Sequence, residues 1–184
     1  MATLNQIRSL LREGDLRTVG QVAGVVELVL RTPRLISVLV DCAFDEDKGI
    51  RMRAADALEK LSRSQAAELQ SYSSVLLGLF EENDQQEIRW HLAVILPRLR
   101  LNASERRRTS QTLQQCLSAK SSIVRTFALQ GLADLTAQEP TLRPFVLDLL
   151  RSSERGGTPA MKARSRKLLD MLEKPAKSVG TKSG

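Results

Sequence analysis

A chain of 184 residues with 42% hydrophobic and 27% charged side chains can bury a single core covering roughly 70% of the surface its unfolded form exposes. Two cysteines, Cys42 and Cys116, are too few for a disulfide framework or a cysteine-based zinc site, and one histidine, His91, leaves little for imidazole catalysis. The formal net charge of +7 is uneven: residues 161–184 hold seven of the 28 basic and two of the 21 acidic side chains, so the rest carries only +2.

Taken in chain order, apolar periodicity predicts helices over 3–13, 17–31, 33–44, 49–63, 67–82, 86–100, 103–119, 122–137, 140–154 and 159–173. The opening MATLNQIRSLLREGD lacks a cationic stretch followed by an unbroken apolar core, and no run reaches the ~18 apolar residues of a membrane helix, so a cytoplasmic protein is expected. Thr32-Pro33 and Thr158-Pro159 each offer a hydroxyl cap followed by proline at the first helical position. The pairs Asp84 with Glu87 and Asn102 with Glu105 have capping-box spacing. LISVLVDCAF has strand-like composition, yet its place in the repeat described next makes it helical. After Glu173 the tail KPAKSVGTKSG has the composition of a disordered segment. The expected organisation is one domain over 1–173 and a disordered basic tail over 174–184.

Three segments align without gaps: GIRMRAADALEKL from Gly49, EIRWHLAVILPRL from Glu87 and IVRTFALQGLADL from Ile123. Each has an aliphatic opener (Ile50, Ile88, Val124) followed by Arg51, Arg89 or Arg125. Apolar or small residues recur four, seven, eight and eleven positions later, ending on Leu61, Leu99 and Leu135. Those offsets trace one helix face. AMKARSRKLLDML repeats the register from Met161, and TVGQVAGVVELVL repeats it weakly through Val19, Ala23, Val26 and Leu30. Eleven residues before the last four openers stand Leu39, Leu77, Leu113 and Leu150. The unit is therefore a helix pair.

The motifs DEDKGIRMRAADAL, NDQQEIRWHLAVIL and AKSSIVRTFALQGL resemble HEAT repeats, the helix-turn-helix family related to armadillo repeats. The resemblance spans about Thr3 to Glu173 and implies a right-handed α-solenoid of about five helix pairs. It also implies that the arginine after each opener pairs with a neighbouring turn, Arg51 with Asp84 or Glu87 and Arg89 with Asp45 or Asp47. The third turn departs from the pattern, with Lys120 and Ser121 where an acid is typical, and so does the last, with GGTPA.

Family enzymes provide direct tests. Some HEAT-like DNA glycosylases set a tryptophan near an aspartate, but one turn after Trp90 stands Val94. Trp90 is expected to pack in the core beside an exposed His91. A di-iron hydroxylase needs repeated His-Glu pairs, which one histidine cannot supply. Cys42 and Cys116 read as small core residues, and Gly156-Gly157 lacks the Lys-Ser/Thr of a phosphate loop.

No enzyme chemistry and no cofactor are expected. The second helices should instead form a concave surface, with Val22, Arg53, His91, Phe127 and Arg164 in one row and Val29, Lys60, Arg98, Asp134 and Met171 in another. The expected role is a non-enzymatic protein-binding scaffold whose contacts are Arg53, Lys60, His91, Arg98, Phe127 and Arg164. Its partner would carry acidic and apolar groups. The alternative is nucleic-acid binding through the basic last helix, the tail and Arg106, Arg107 and Arg108, against which stand the +2 body and 3% aromatic content. A lyase-like or chaperone role on a cofactor protein is a weaker third, with no residue pointing to a chromophore.

Overall fold

The computed structural model describes residues 4–13 and 20–174. Apart from Lys174, the tail on which disorder was expected lies outside the described residues, as does Val19. Among those described, the 3.6-residue periodicity resolves into ten α-helices and no strand. These are α1 (Leu4–Arg12), α2 (Val22–Arg31), α3 (Ile36–Cys42), α4 (Lys48–Ser62), α5 (Ser73–Glu82), α6 (Gln86–Ile95), α7 (Ala103–Cys116), α8 (Ser122–Leu135), α9 (Arg143–Gly156) and α10 (Pro159–Glu173). The LISVLVDCAF segment is helical, as the repeat register required. No described helix is long and apolar enough to cross a membrane.

Several boundaries tighten into 3-10 turns, at Pro33–Leu35 before α3, Ala66–Tyr72 before α5 and Pro140–Leu142 before α9. Leu96–Arg98 closes α6 in the same way. Pro97 has no N–H to donate to the preceding turn, so the α-helix expected through 100 stops at Ile95.

Consecutive helices pack as pairs, and the even-numbered helices also pack on one another in chain order: α2 on α4, α4 on α6, α6 on α8, α8 on α10. The repeat register explains this second set of contacts. Leu58, Leu96, Leu132 and Leu169 are all buried, and Leu39, Leu77, Leu113 and Leu150 are fully buried from the partner helices. Burying such a leucine stabilises by about 2 kcal/mol. Gly131 takes the position that Ala57 and Ile95 fill in other copies, because α8 presses so close to α6 that a Cβ there would sit 2.1 Å from the Ala93 carbonyl oxygen.

The first copy departs from the expected register. Val22, Val25 and Val29 are buried, whereas Ala23 is exposed and Leu30 is 45% exposed. Turning α2 by about one residue puts three valines on one face and swings Glu27 outward. Val22 and Val29 are consequently core residues rather than surface ones.

Capping follows the side chains that can reach the free N–H groups. Asn102 and Glu105 form the expected capping box on α7, and Thr158 caps α10. Thr32 makes no side-chain cap, since a 3-10 turn follows it. The box expected of Asp84 and Glu87 is also absent: Gln85 is the cap residue of α6 and makes no side-chain cap bond. Asp47 on α4 and Ser121 on α8 supply caps that the spacing rules did not single out.

Candidate functional site

Arginines at the inter-helix turns reach neighbouring segments, though not the expected carboxylates. Arg51 donates from Nε to Gln85 Oε1 at 3.0 Å and from Nη1 to the carbonyls of Asp45 and Glu46. Gln85 in turn donates to the Lys48 carbonyl. A neutral amide and main-chain oxygens thus take the place of Asp84 or Glu87. Arg89 donates to Cys116 Sγ at 3.2 Å. Asp45, which was expected for Arg89, is held by Arg8 of α1, whose hydrogen bond keeps the carboxyl below the usual carboxylate range. Both cysteines are buried thiols, as expected. Burial pushes Cys42 up to about 11, away from nucleophilic reactivity.

Polar groups gather where α4 meets α6. Glu59 is buried, and Arg63, one turn on, grips both of its carboxylate oxygens. Arg98, from the end of the α6 segment, donates to Glu59 Oε1 and to Ser62 Oγ, each at 2.7 Å. Burial pushes the Glu59 carboxyl up, but the hydrogen bonds from Arg63 and Arg98 outweigh it and hold the group below its ordinary value. Asp56, also on α4, is paired with Lys60 at 2.6 Å.

His91 was expected to be exposed. It is instead half-buried, edge-on to Trp90 with ring centroids 5.6 Å apart. Burial pushes its pKa down to about 4, against the pull of Asp56 and Glu59, so the ring is neutral at pH 7. One ligand-capable atom from each of Asp56, Glu59 and His91 falls within 4.8 Å of the others. The sequence rules missed this grouping because it joins two helices. Three such groups have the composition of a metal site, yet each carboxylate is already bound by a cation, with Lys60, Arg63 and Arg98 together outnumbering the two acids. A divalent ion would have to displace those partners, so the arrangement is that of an internal ion-pair network.

The surface row continues toward the C-terminus. Asp134 is bonded by Gln130 at 2.7 Å, and burial raises its carboxyl pKa against that hydrogen bond and the nearby Arg98 and Arg164. Arg164 donates to Gln130 Oε1 at 2.6 Å and lies over the Phe127 ring, 5.4 Å from its centroid. Of the six expected contacts, Lys60, His91, Arg98, Phe127 and Arg164 retain partial exposure along successive even-numbered helices. Arg53 differs. It is 2% exposed and donates to the Leu11 carbonyl at 2.7 Å, fastening α1 to α4. Met171 is 51% exposed.

The second basic spot is largely neutralised, with Arg106 paired to Glu139 and Arg108 to Glu81. What the geometry defines is an all-helical protein of stacked helix pairs with a mixed polar and apolar row along its even-numbered helices. No protein-family model matches the chain, and no curated protein does. Among solved structures it is similar to the crystal structure of an engineered protein from the Northeast Structural Genomics Consortium. That likeness has a TM-score of 0.61 at 15% identity and covers 92% of this chain and 78% of the other. At that identity it speaks to the helical fold alone.

Proposed function

We propose that this protein is a non-enzymatic scaffold that binds another protein along its even-numbered helices, and that the stack is a short right-handed α-solenoid of HEAT-like pairs. The carrying observation is the row itself. Lys60, His91, Arg98, Phe127 and Arg164 come from four successive repeats, and each stays partly open to solvent. Alternating cations, a neutral imidazole and an aromatic ring suit a surface with acidic and apolar groups better than a uniform phosphate backbone. Neutralisation of Arg106 and Arg108 by carboxylates supports the same choice over nucleic acid. Buried thiols and ion-paired carboxylates are consistent with a binding rather than a catalytic role.

A photo-cross-linking amino acid at position 60 or 127, compared with one at exposed Gln111 on α7, tests the reading in the native cell. One protein captured from 60 and 127 but not from 111 is the expected result. Equal capture from all three positions, or none, rejects it.

A further inference from the structure

We infer that the furrow between α8 and α10 is the anchor point of this surface and takes an acidic amphipathic helix of another protein. The inference rests on the protein-binding reading above and names the chemistry of the ligand. Ile123 and Phe127 line it from α8, and Ala160, Ala163, Arg164 and Lys167 from α10, around a cavity of about 280 Å³. Ile123 is 46% exposed, a bulky apolar side chain left open beside a half-buried ring. The two alanines stand three residues apart on one face of α10, so a second helix can approach the backbone there.

Charge decides the occupant. Four other exposed or half-buried arginines end on carboxylates, Arg98 on Glu59, Arg106 on Glu139, Arg108 on Glu81 and Arg166 on Glu154, whereas the turn residues Arg51 and Arg89 end on neutral groups. At the furrow, neither Arg164 nor Lys167 forms an ion pair among the described residues. Arg164 lies over the Phe127 ring and makes one bond to the neutral Gln130, which leaves most of its five N–H donors without an acceptor among the described residues. A guanidinium fixed in this way loses little rotamer freedom when it takes up a carboxylate. The one hydroxyl in the lining, Thr126 Oγ1, already donates to the Ser122 carbonyl at 2.7 Å. A small polar ligand would therefore find few groups to orient it. An apolar side chain over the alanines, with an acid one helical turn away, meets both the greasy wall and the cations.

Panning a phage-displayed library of helical peptides against the full chain tests this, followed by affinity measurement with the synthetic form of the most enriched peptide. Expected are peptides that pair a bulky apolar residue with Asp or Glu three or four positions away. Their affinity should fall at least about tenfold in the R164E/K167E variant and in Ile123→Ser. It should persist in R107E/K120E, which makes the same change in net charge at exposed cations elsewhere. Circular-dichroism melts establish that each variant folds. Enriched peptides without acids, equal loss in R107E/K120E, or displacement of the peptide by a DNA duplex would each overturn the furrow assignment. Peptides sensitive to Lys60→Glu but not to R164E/K167E would also overturn it while leaving the scaffold reading intact. Absence of enrichment rejects the furrow, and the photo-cross-linking experiment still decides the scaffold separately.

Discussion

Arg98 and Glu59 meet at 2.7 Å across the α4–α6 contact, with the same carboxylate also held by Arg63 from its own helix. The pair ties one repeat to the next through a buried acid, so its strength depends on the charge of that acid.

Removing one side should be costly. Arg98→Ala leaves Glu59 buried with Arg63 alone and should destabilise the fold by about 2 kcal/mol, read from urea unfolding at pH 7. A loss below about 0.5 kcal/mol would mean that Arg63 and solvent suffice.

Two different pH windows follow from the same neighbourhood. Because His91 is held neutral with its pKa pushed down to about 4, the unfolded chain takes up a proton first as pH falls below the ordinary histidine value near 6.5. Stability from this group is full above that value and is lost between about 6.5 and 4. Glu59 has a lowered pKa, so its contribution is full above the ordinary glutamate value near 4.3 and disappears below it. His91→Gln should flatten the upper limb, worth roughly 3 kcal/mol over that span, and Glu59→Gln the lower one. Chemical-denaturation curves at steps from pH 7 to 3 separate them, and an unchanged upper limb in His91→Gln would contradict the burial argument.

Two glycine-to-alanine changes should have opposite signs. In Gly131→Ala the new methyl meets the Ala93 carbonyl oxygen at 2.1 Å and Leu113 Cδ2 at 2.8 Å, which forces α6 and α8 apart. A loss of about 3 kcal/mol is expected. In Gly78→Ala nothing lies within 4 Å of the new atom, and better helix propensity should add roughly 0.5–1 kcal/mol. Thermal melts of both variants check the pair.

Arg53→Ala should act on stability rather than on partner binding. It removes the donor to the Leu11 carbonyl at 2.7 Å, leaving that buried acceptor short of a bond at a cost of about 2 kcal/mol. Hydrogen exchange should quicken in α1 first. Faster exchange confined to the α8–α10 end would contradict the role.

Asn102→Ala should remove both bonds of the α7 capping box, because Glu105 Oε2 reaches back to the Asn102 N–H at 2.9 Å only while the turn holds. A cost of about 1 kcal/mol in a denaturant melt is expected, and no change would mean that the Ser73–Glu105 bond carries the turn.

The helix pairs were legible in the chain's apolar periodicity. Offsets of four, seven, eight and eleven residues from Ile50, Ile88 and Val124 can place those side chains together only on a helix, and all three openers are buried. Among the positions that periodicity selected, Lys60, His91, Arg98, Phe127 and Arg164 stay partly exposed, while Val22, Arg53 and Val29 at equivalent places in the repeat are buried. Tertiary structure alone decided which of these residues meet. The α2 register, the burial of Arg53 and the withdrawal of His91 beside Asp56 and Glu59 depend on a neighbouring helix that periodicity does not encode. Arg51 chose Gln85 and main-chain oxygens over acids for the same reason: helical spacing fixes the face a side chain occupies, while its hydrogen-bond partner is set by what packs opposite.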